Sequence, residues 1–174
     1  MGNDMIDKAK PGPTFDGESM RAILAGRKTQ TRRILKGEQI EFAATGGGIS
    51  PDYRIGTVYY ARESPERFDG GVIYRTGDPI TIGNKLRVWP WKCRVLAPHC
   101  MPRWAARVWL RITDVRVHRL HETSVDDAVA EGVSMEFALL WPHRWEQVNG
   151  KGSWERDRNR WVAAYTFEVV KPES

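Results

Sequence analysis

The sequence predicts a small α+β fold, a β-barrel with two or three flanking helices. Three observations predict it. Apolar residues recur in short alternating runs, each about the length of one strand. Sixteen glycines and ten prolines punctuate the chain at frequent intervals, as tight turns between short strands require. The longest run, ARVWLRITDVRVHRL at 106–120, also changes parity along its length. Val108, Leu110 and Ile112 share one face, whereas Val115 and Val117 fall on the other. One extra residue at Thr113 or Asp114 would restore the inward face, so a bulge or bend is expected there, as in a small closed barrel.

The elements follow in order. Residues 1–12 read as a flexible leader with no apolar core of a secretory signal, and 13–174 as a single domain. The first helix is expected over residues 17–25. Asp16 caps it by accepting a first-turn N–H, Met20, Ile23 and Leu24 share a face, and Gly26 supplies the left-handed stop. Residues 43–52, AATGGGISPD, read as a loop. TVYYAR, GVIYR and KLRVW read as short strands. Ser124 followed by Asp127 resembles a capping box opening a helix over 125–131, which Gly132 ends. A second helical piece covers 134–148, kinked or split by Pro142. NGKGS is a turn, and RWVAAYTFEVV closes the chain as a strand.

At 174 residues and 41% hydrophobic content the chain is long enough for a sizeable core. No apolar run approaches the roughly 20 residues of a membrane span, so no membrane partner is expected, and a cytoplasmic setting is the default. Two cysteines, Cys93 and Cys100, make no disulfide framework and read as ordinary thiols. The net charge of +5 favours an anionic partner, nucleic acid first. Trp89, Trp91 and Trp104 lie near Lys92, Arg94 and Arg103. Flat rings beside cations hold unpaired bases, and they also pack the rims of small barrels. Tyr59 and Tyr60 adjoin in a strand candidate, so alternation turns one of them outward; Tyr60 is the candidate for a cleft wall. Glu63 is placed to bond a base edge or to pair with Arg62 or Arg33. His118 and His121 read as surface residues, and Asp126-Asp127 as helix N-terminal charge.

GRKTQTRR, residues 26–33, is the densest chemistry in the chain: Arg27, Lys28, Arg32 and Arg33, with Thr29 and Thr31 between them. Three readings fit it. It is a grip on phosphates, a solvated charged strand, or an activated nucleophile.

Gly26-x-Lys28-x-x-x-x-Arg33, preceded by its helix in ILAGRKTQTRR, resembles the signature of the ASCH domain, a PUA-like β-barrel family. MPRWAARVWLRITDVRVHRLHETSVDDAVAEGV, the NGKGSWE turn and the last aromatic strand also resemble ASCH-like proteins of phages and prophages. The similarity spans about residues 14–170. It implies RNA binding in a cleft beside the signature. Some small bacterial members are amidohydrolases of N4-acetylcytidine, whose lysine, threonine and glutamate match Lys28, Thr31 and Glu131 here. Arg33 fills the signature arginine. The chain departs from the pattern by an insertion around 37–55, a Trp-rich segment near 89–104, and GTVYYARE at 56–63.

The residue types suit the chemistry. Amide cleavage needs an attacking group, a base for its proton and an acid for the departing nitrogen. The roles that the resemblance implies are Thr31 as the attacking group, Lys28 as the base once neutral, and Glu131 as the proton shuttle. Burial and nearby arginines lower a lysine pKa by the required order, and arginine does not give up its own proton. Residues three apart on a straight strand face opposite ways, so Lys28 and Thr31 meet only if the chain turns between them. Arg27, Arg32, Arg33, Tyr60, Glu63, Trp91 and Arg103 are the expected ligand contacts. The partner is a nucleoside, RNA or single-stranded DNA, with no obligate protein partner evident and no metal or organic cofactor implied. A non-catalytic nucleic-acid-binding module and a ribonuclease are the alternatives.

Overall fold

The computed structural model describes residues 6–37, 39–40, 52–68, 71–82, 85–86, 88–156 and 160–171. Most of the 43–52 loop and of the 37–55 insertion lies outside these residues. The strands are β1 (Lys10–Thr14), β2 (Gln30–Ile34), β3 (Val58–Arg62), β4 (Pro65–Phe68), β5 (Gly71–Tyr74), β6 (Thr81–Ile82), β7 (Lys85–Leu86), β8 (Trp109–Arg119) and β9 (Trp161–Val170). The α-helices are α1 (Gly17–Leu24), α2 (Val125–Ala130), α3 (Trp141–Asn149) and α4 (Ser153–Arg156). Five strands follow one another in the hydrogen-bonding order β1-β3-β8-β9-β2, and β4-β5 and β6-β7 make two small hairpin sheets. The α+β class is therefore as the sequence predicts. The main sheet does not close into a barrel, because among the described residues β1 and β2 stand at its two ends.

The chain forms two compact units. One comprises Met1–Leu24, Val58–Leu110 and Val169–Ser174; the other comprises Ala25–Thr57 and Arg111–Glu168. In the first unit, β1 runs parallel to β3, with Lys10 opposite Tyr59 and Pro11 opposite Tyr60. This strand begins inside the segment read as a leader. Two prolines are tolerated there because β1 is a sheet edge, where a missing N–H costs no ladder bond. Gly12 lets the strands approach: a Cβ added to it would lie 2.7 Å from the Tyr60 carbonyl oxygen and 2.8 Å from the Tyr59 Cβ. Helix α1 is capped as expected, the Ser19 N–H donating to Asp16 Oδ1 at 2.8 Å, and Gly26 takes a φ of 72° just beyond it. The unit's apolar side chains gather around Val72, Tyr74, Ile80, Met101 and Ala105, and around Ala9, Val58 and Tyr60.

In the second unit β2 pairs antiparallel with β9, from Gln30 opposite Thr166 to Ile34 opposite Val162. Ser124 and Asp127 form the reciprocal capping box at the start of α2, each side chain accepting the other's backbone N–H at 3.1 Å. Gly132 ends the turn with a φ of 95°. The helical piece expected over 134–148, kinked or split by Pro142, is split. A 3-10 turn over Met135–Leu140 leads into α3. Pro142 sits in the first turn of α3, where its missing N–H has no intrahelical partner to lose. The core here is Leu120, Ala128, Ala138, Trp141, Trp145 and Val162.

Strand β8 runs from Trp109 to Arg119. Leu110 and Ile112 are buried, Thr113, Asp114 and Arg116 are exposed, and Val115 and Val117 are half-buried. His118, read from the sequence as a surface residue, is buried near the end of the strand.

Candidate active site

The site lies wholly in the second unit. Lys28 forms an isolated antiparallel bridge with Glu131, ahead of β2. Glu131 is the residue closing α2, still helical in its backbone, and Gly132 then turns the chain away. Between Lys28 and β2 the backbone of Thr29 divides its bonds. Its N–H donates to the Ala130 carbonyl at 2.8 Å, and its own carbonyl accepts from the Phe167 N–H at 2.9 Å. In a regular strand both groups of one residue point to the same edge, so the chain rotates at Thr29. The signature is thus not a straight strand from Arg27 to Arg33; its regular part begins at Gln30.

The backbone bridge brings the side chains together. Lys28 Nζ donates to the Glu131 carboxylate through Oε2, and to the Glu131 main-chain oxygen at 3.0 Å. Arg32 Nη1 holds the other carboxylate oxygen at 3.1 Å. Arg32 Nη2 reaches Asp127 Oδ1 at 2.8 Å and Gln30 Oε1 at 3.2 Å, and Arg32 Nε donates to His118 Nε2 at 3.3 Å. Trp141 lies alongside the guanidinium, 5.9 Å from it to the ring centroid. Asp127 also pairs with Arg116. Asp127 and Glu131 are four residues apart, so α2 presents both carboxylates on one face, and Arg32 spans them. Lys28, Arg32, His118, Asp127 and Glu131 are all buried.

Burial holds the Lys28 amine below its ordinary value, and Glu131 opposes this by Coulomb attraction and hydrogen bonding; Arg144 and Arg33 push it down further. Among Lys28, Arg32, Arg33 and Arg144, lysine is the one cation able to release a proton. His118 is also held down, by burial and then by Arg32. Its Nδ1 lies 2.8 Å from the Arg119 carbonyl, so the Nδ1–H tautomer donates there while Nε2 accepts from Arg32. That pairing requires a neutral ring. Burial raises the Asp127 carboxyl, but the Ser124 N–H, Arg32 and Arg116 together outweigh it and leave the group below its usual range.

Of the three residues expected to do chemistry, Lys28 and Glu131 are in contact. Thr31 is buried on β2 opposite Tyr165. Alternation puts Thr31 on the face opposite Gln30 and Arg32, beside a ring that packs edge-on against Tyr53 at 5.0 Å. Arg27 is exposed, with Nη1 3.4 Å from the Gly132 carbonyl, and Arg33 is half-buried.

The other expected contacts lie in the first unit. Tyr60 packs in the core cluster with Ala9 and Val58, so neither adjacent tyrosine faces out. Both Glu63 carboxylate oxygens are taken by Arg107, at 2.8 and 3.0 Å, rather than by Arg62 or Arg33. Trp91 is half-buried against Trp104, and Arg103 is exposed.

Sequence reasoning missed Asp127, His118, Gln30 and Arg144 as partners of the site. The four-residue spacing from Asp127 to Glu131 was a usable signal. His118 carried none, because an inward histidine on a strand reads as polar and therefore outward.

No family model and no curated protein matches the chain. Among solved structures, the crystal structure of an ASCH domain from Lactobacillus crispatus JV V101 is similar over 98% of this chain and 86% of that one, at a TM-score of 0.51 and 13% identity. A DUF984 protein from Enterococcus faecalis V583 is aligned over 97% of this chain and 84% of its own, at a TM-score of 0.48 and 14% identity. The chain has the fold of an ASCH domain. Among the described residues no helix is long and apolar enough to cross a membrane.

Proposed function

We propose that the protein is a base-directed amidohydrolase that removes an acyl group from the N4 amine of an acylated cytosine. One observation carries this reading: a buried lysine, held below its ordinary pKa, shares a carboxylate with a buried arginine. A purely structural ion pair has no need of an amine so burdened. Replacing such a pair by apolar residues is often neutral or stabilising, so the group is retained at a cost and is suited to carrying a proton.

The chemistry follows from the pair. Lys28 donates to the Glu131 carboxylate, so the acid lies within reach of the base. The rotation at Thr29 takes Lys28 out of the alternation that sets Thr31 apart from Arg32, and the mechanism requires the Thr31 hydroxyl to reach the Lys28 amine. With Lys28 neutral, that amine takes the hydroxyl proton as Oγ1 bonds to the acyl carbon and the carbonyl electron pair moves to oxygen. Arg33 and Arg144, the cations that depress Lys28, stabilise that oxyanion. Collapse breaks the carbon–N4 bond, and the proton passes through Glu131 to the leaving nitrogen. Cytosine departs and Thr31 is left as an ester. Water, deprotonated by Lys28 in turn, releases the carboxylic acid and restores the hydroxyl. Arg32 fixes Glu131 and Asp127 so that the acid cannot swing away. The fold, the basic charge and the resemblance of the signature point the site toward a base on a nucleoside or nucleic acid.

The test is incubation of the protein with N4-acetylcytidine, following the ultraviolet change as the acyl group is lost. Turnover with equimolar acetate and cytidine is expected. No turnover on the nucleoside or on acetylcytidine-containing RNA, with RNA still bound, would leave a non-catalytic binding module. Shortened RNA would make the protein a nuclease.

A further inference from the structure

The first unit carries an aromatic cluster that the proposed chemistry does not use. Trp89 and Trp91 meet edge to face at 4.8 Å, and Trp91 and Trp104 lie nearly parallel, 12° apart with centroids at 5.9 Å. Trp89 is the anchor. It packs against the cluster of Val72, Tyr74, Ile80, Met101 and Ala105, and its indole N–H donates to the Cys93 carbonyl at 2.6 Å. Trp104 is the outer ring, 36% exposed. The set is therefore a ladder fixed at one end in the core and open to water at the other. Burying all three rings would serve packing; leaving the last exposed costs free energy unless something covers it.

The charge of the neighbouring sequence indicates what covers it. From Pro79 to Thr113 the sequence contains no Asp or Glu, yet it contains Lys85, Arg87, Lys92, Arg94, Arg103, Arg107 and Arg111. Lys92, Arg94 and Arg103 are all exposed. Arg94 keeps 81% of its side chain in solvent while touching Glu66, and Arg103, 44% exposed, donates to the Ile6 carbonyl at 2.5 Å and pairs at 3.4 Å with Asp7, which is 80% exposed. Exposed pairs of this kind are weak and open readily for a stronger anion. An exposed ring with cations beside it in the sequence matches the two repeating parts of an unpaired strand, flat base and phosphate. A duplex hides its base faces and matches only the cations.

We propose that the first unit bears its own docking surface for single-stranded nucleic acid, with a base stacked on Trp104, which Trp91 backs, and phosphates held by Lys92, Arg94 and Arg103. This surface is independent of the hydrolase reading.

The test is fluorescence polarisation with labelled 12-nucleotide oligouridylate and oligothymidylate, with a duplex of equal length and heparin as competitors. The parent protein is expected to bind the single strands in a salt-dependent way and to prefer them to the duplex. Trp104→Ala is expected to weaken binding about tenfold through lost stacking. The double charge reversal Lys92→Glu/Arg94→Glu, both positions being exposed, is expected to flatten the salt dependence. Trp104→Ala is also expected to leave the rate on N4-acetylcytidine unchanged, so failure of either reading is seen apart from the other. No binding, equal binding of duplex and heparin, or binding unmoved by both variants would overturn the proposal.

Discussion

Lys28→Met is expected to lower hydrolysis of an acylated cytidine by about 100- to 10,000-fold, the usual range for removing a general base, while the protein stays folded. Methionine keeps most of the length of the side chain and removes only the titrating group. Glu131 is not stranded by the change, because Arg32 Nη1 still holds it at 3.1 Å. Relief from burying an ammonium offsets the lost ion pair, so a thermal melt should move little or rise. Thr31→Ala should match the loss in kcat, and Thr31→Ser should recover part of it. Non-additivity between Lys28→Met and Thr31→Ala is expected if the two act as one unit. Full activity in Lys28→Met would remove the lysine from the mechanism.

Arg107→Ala is expected to be the most destabilising single change in the first unit, by about 3–5 kcal/mol. Arg107 holds both oxygens of Glu63, which is only 2% exposed. It also donates to Thr76 and Asp78, each at 2.6 Å, and lies over the Tyr74 ring at 3.8 Å. Burial already raises the Glu63 carboxyl despite the hydrogen bonds and charge of Arg107; without Arg107 it rises further. A carboxyl raised in the folded state favours folding fully below its unfolded value, and that contribution is lost as pH climbs through the folded value. The variant should therefore be least stable near neutral pH and recover toward pH 5. Urea denaturation at both values reads this directly. Adding Glu63→Gln should restore much of the loss at pH 7, since no buried charge is then left alone. An Arg107→Ala protein as stable as its parent at neutral pH would contradict the account.

How much of this was legible in the sequence depends on whether a residue's role is local. The Asp16 cap, the Ser124–Asp127 box, the Gly26 and Gly132 stops, the division at Pro142 and the last strand rest on short-range backbone geometry, and all are found. The pairing of Lys28 with Glu131 came through the resemblance, because residues 103 positions apart meet only through tertiary structure. Arg32 was read as a ligand contact, yet its guanidinium is a fully buried clasp on two helix carboxylates. Polarity alone does not tell a cation that meets a ligand from one that ties a helix to a strand. Glu63 misled for the same reason: its partner Arg107 lies 44 residues away, and nearer arginines were the natural guess. The open sheet and the strand at 10–14 escaped notice because a proline-rich edge strand carries no alternation to read.

The account stands on the state of one amine. Nitrogen-labelled lysine NMR, with the Lys28 side-chain signal assigned by its disappearance in Lys28→Met, measures that state without reference to any substrate. The signal is expected to titrate below the ordinary lysine value of 10.5, the direction that burial, Arg144 and Arg33 impose against Glu131. A midpoint at or above 10.5 would mean that Glu131 holds the proton on Lys28 throughout, leaving the site with an ion pair and no base.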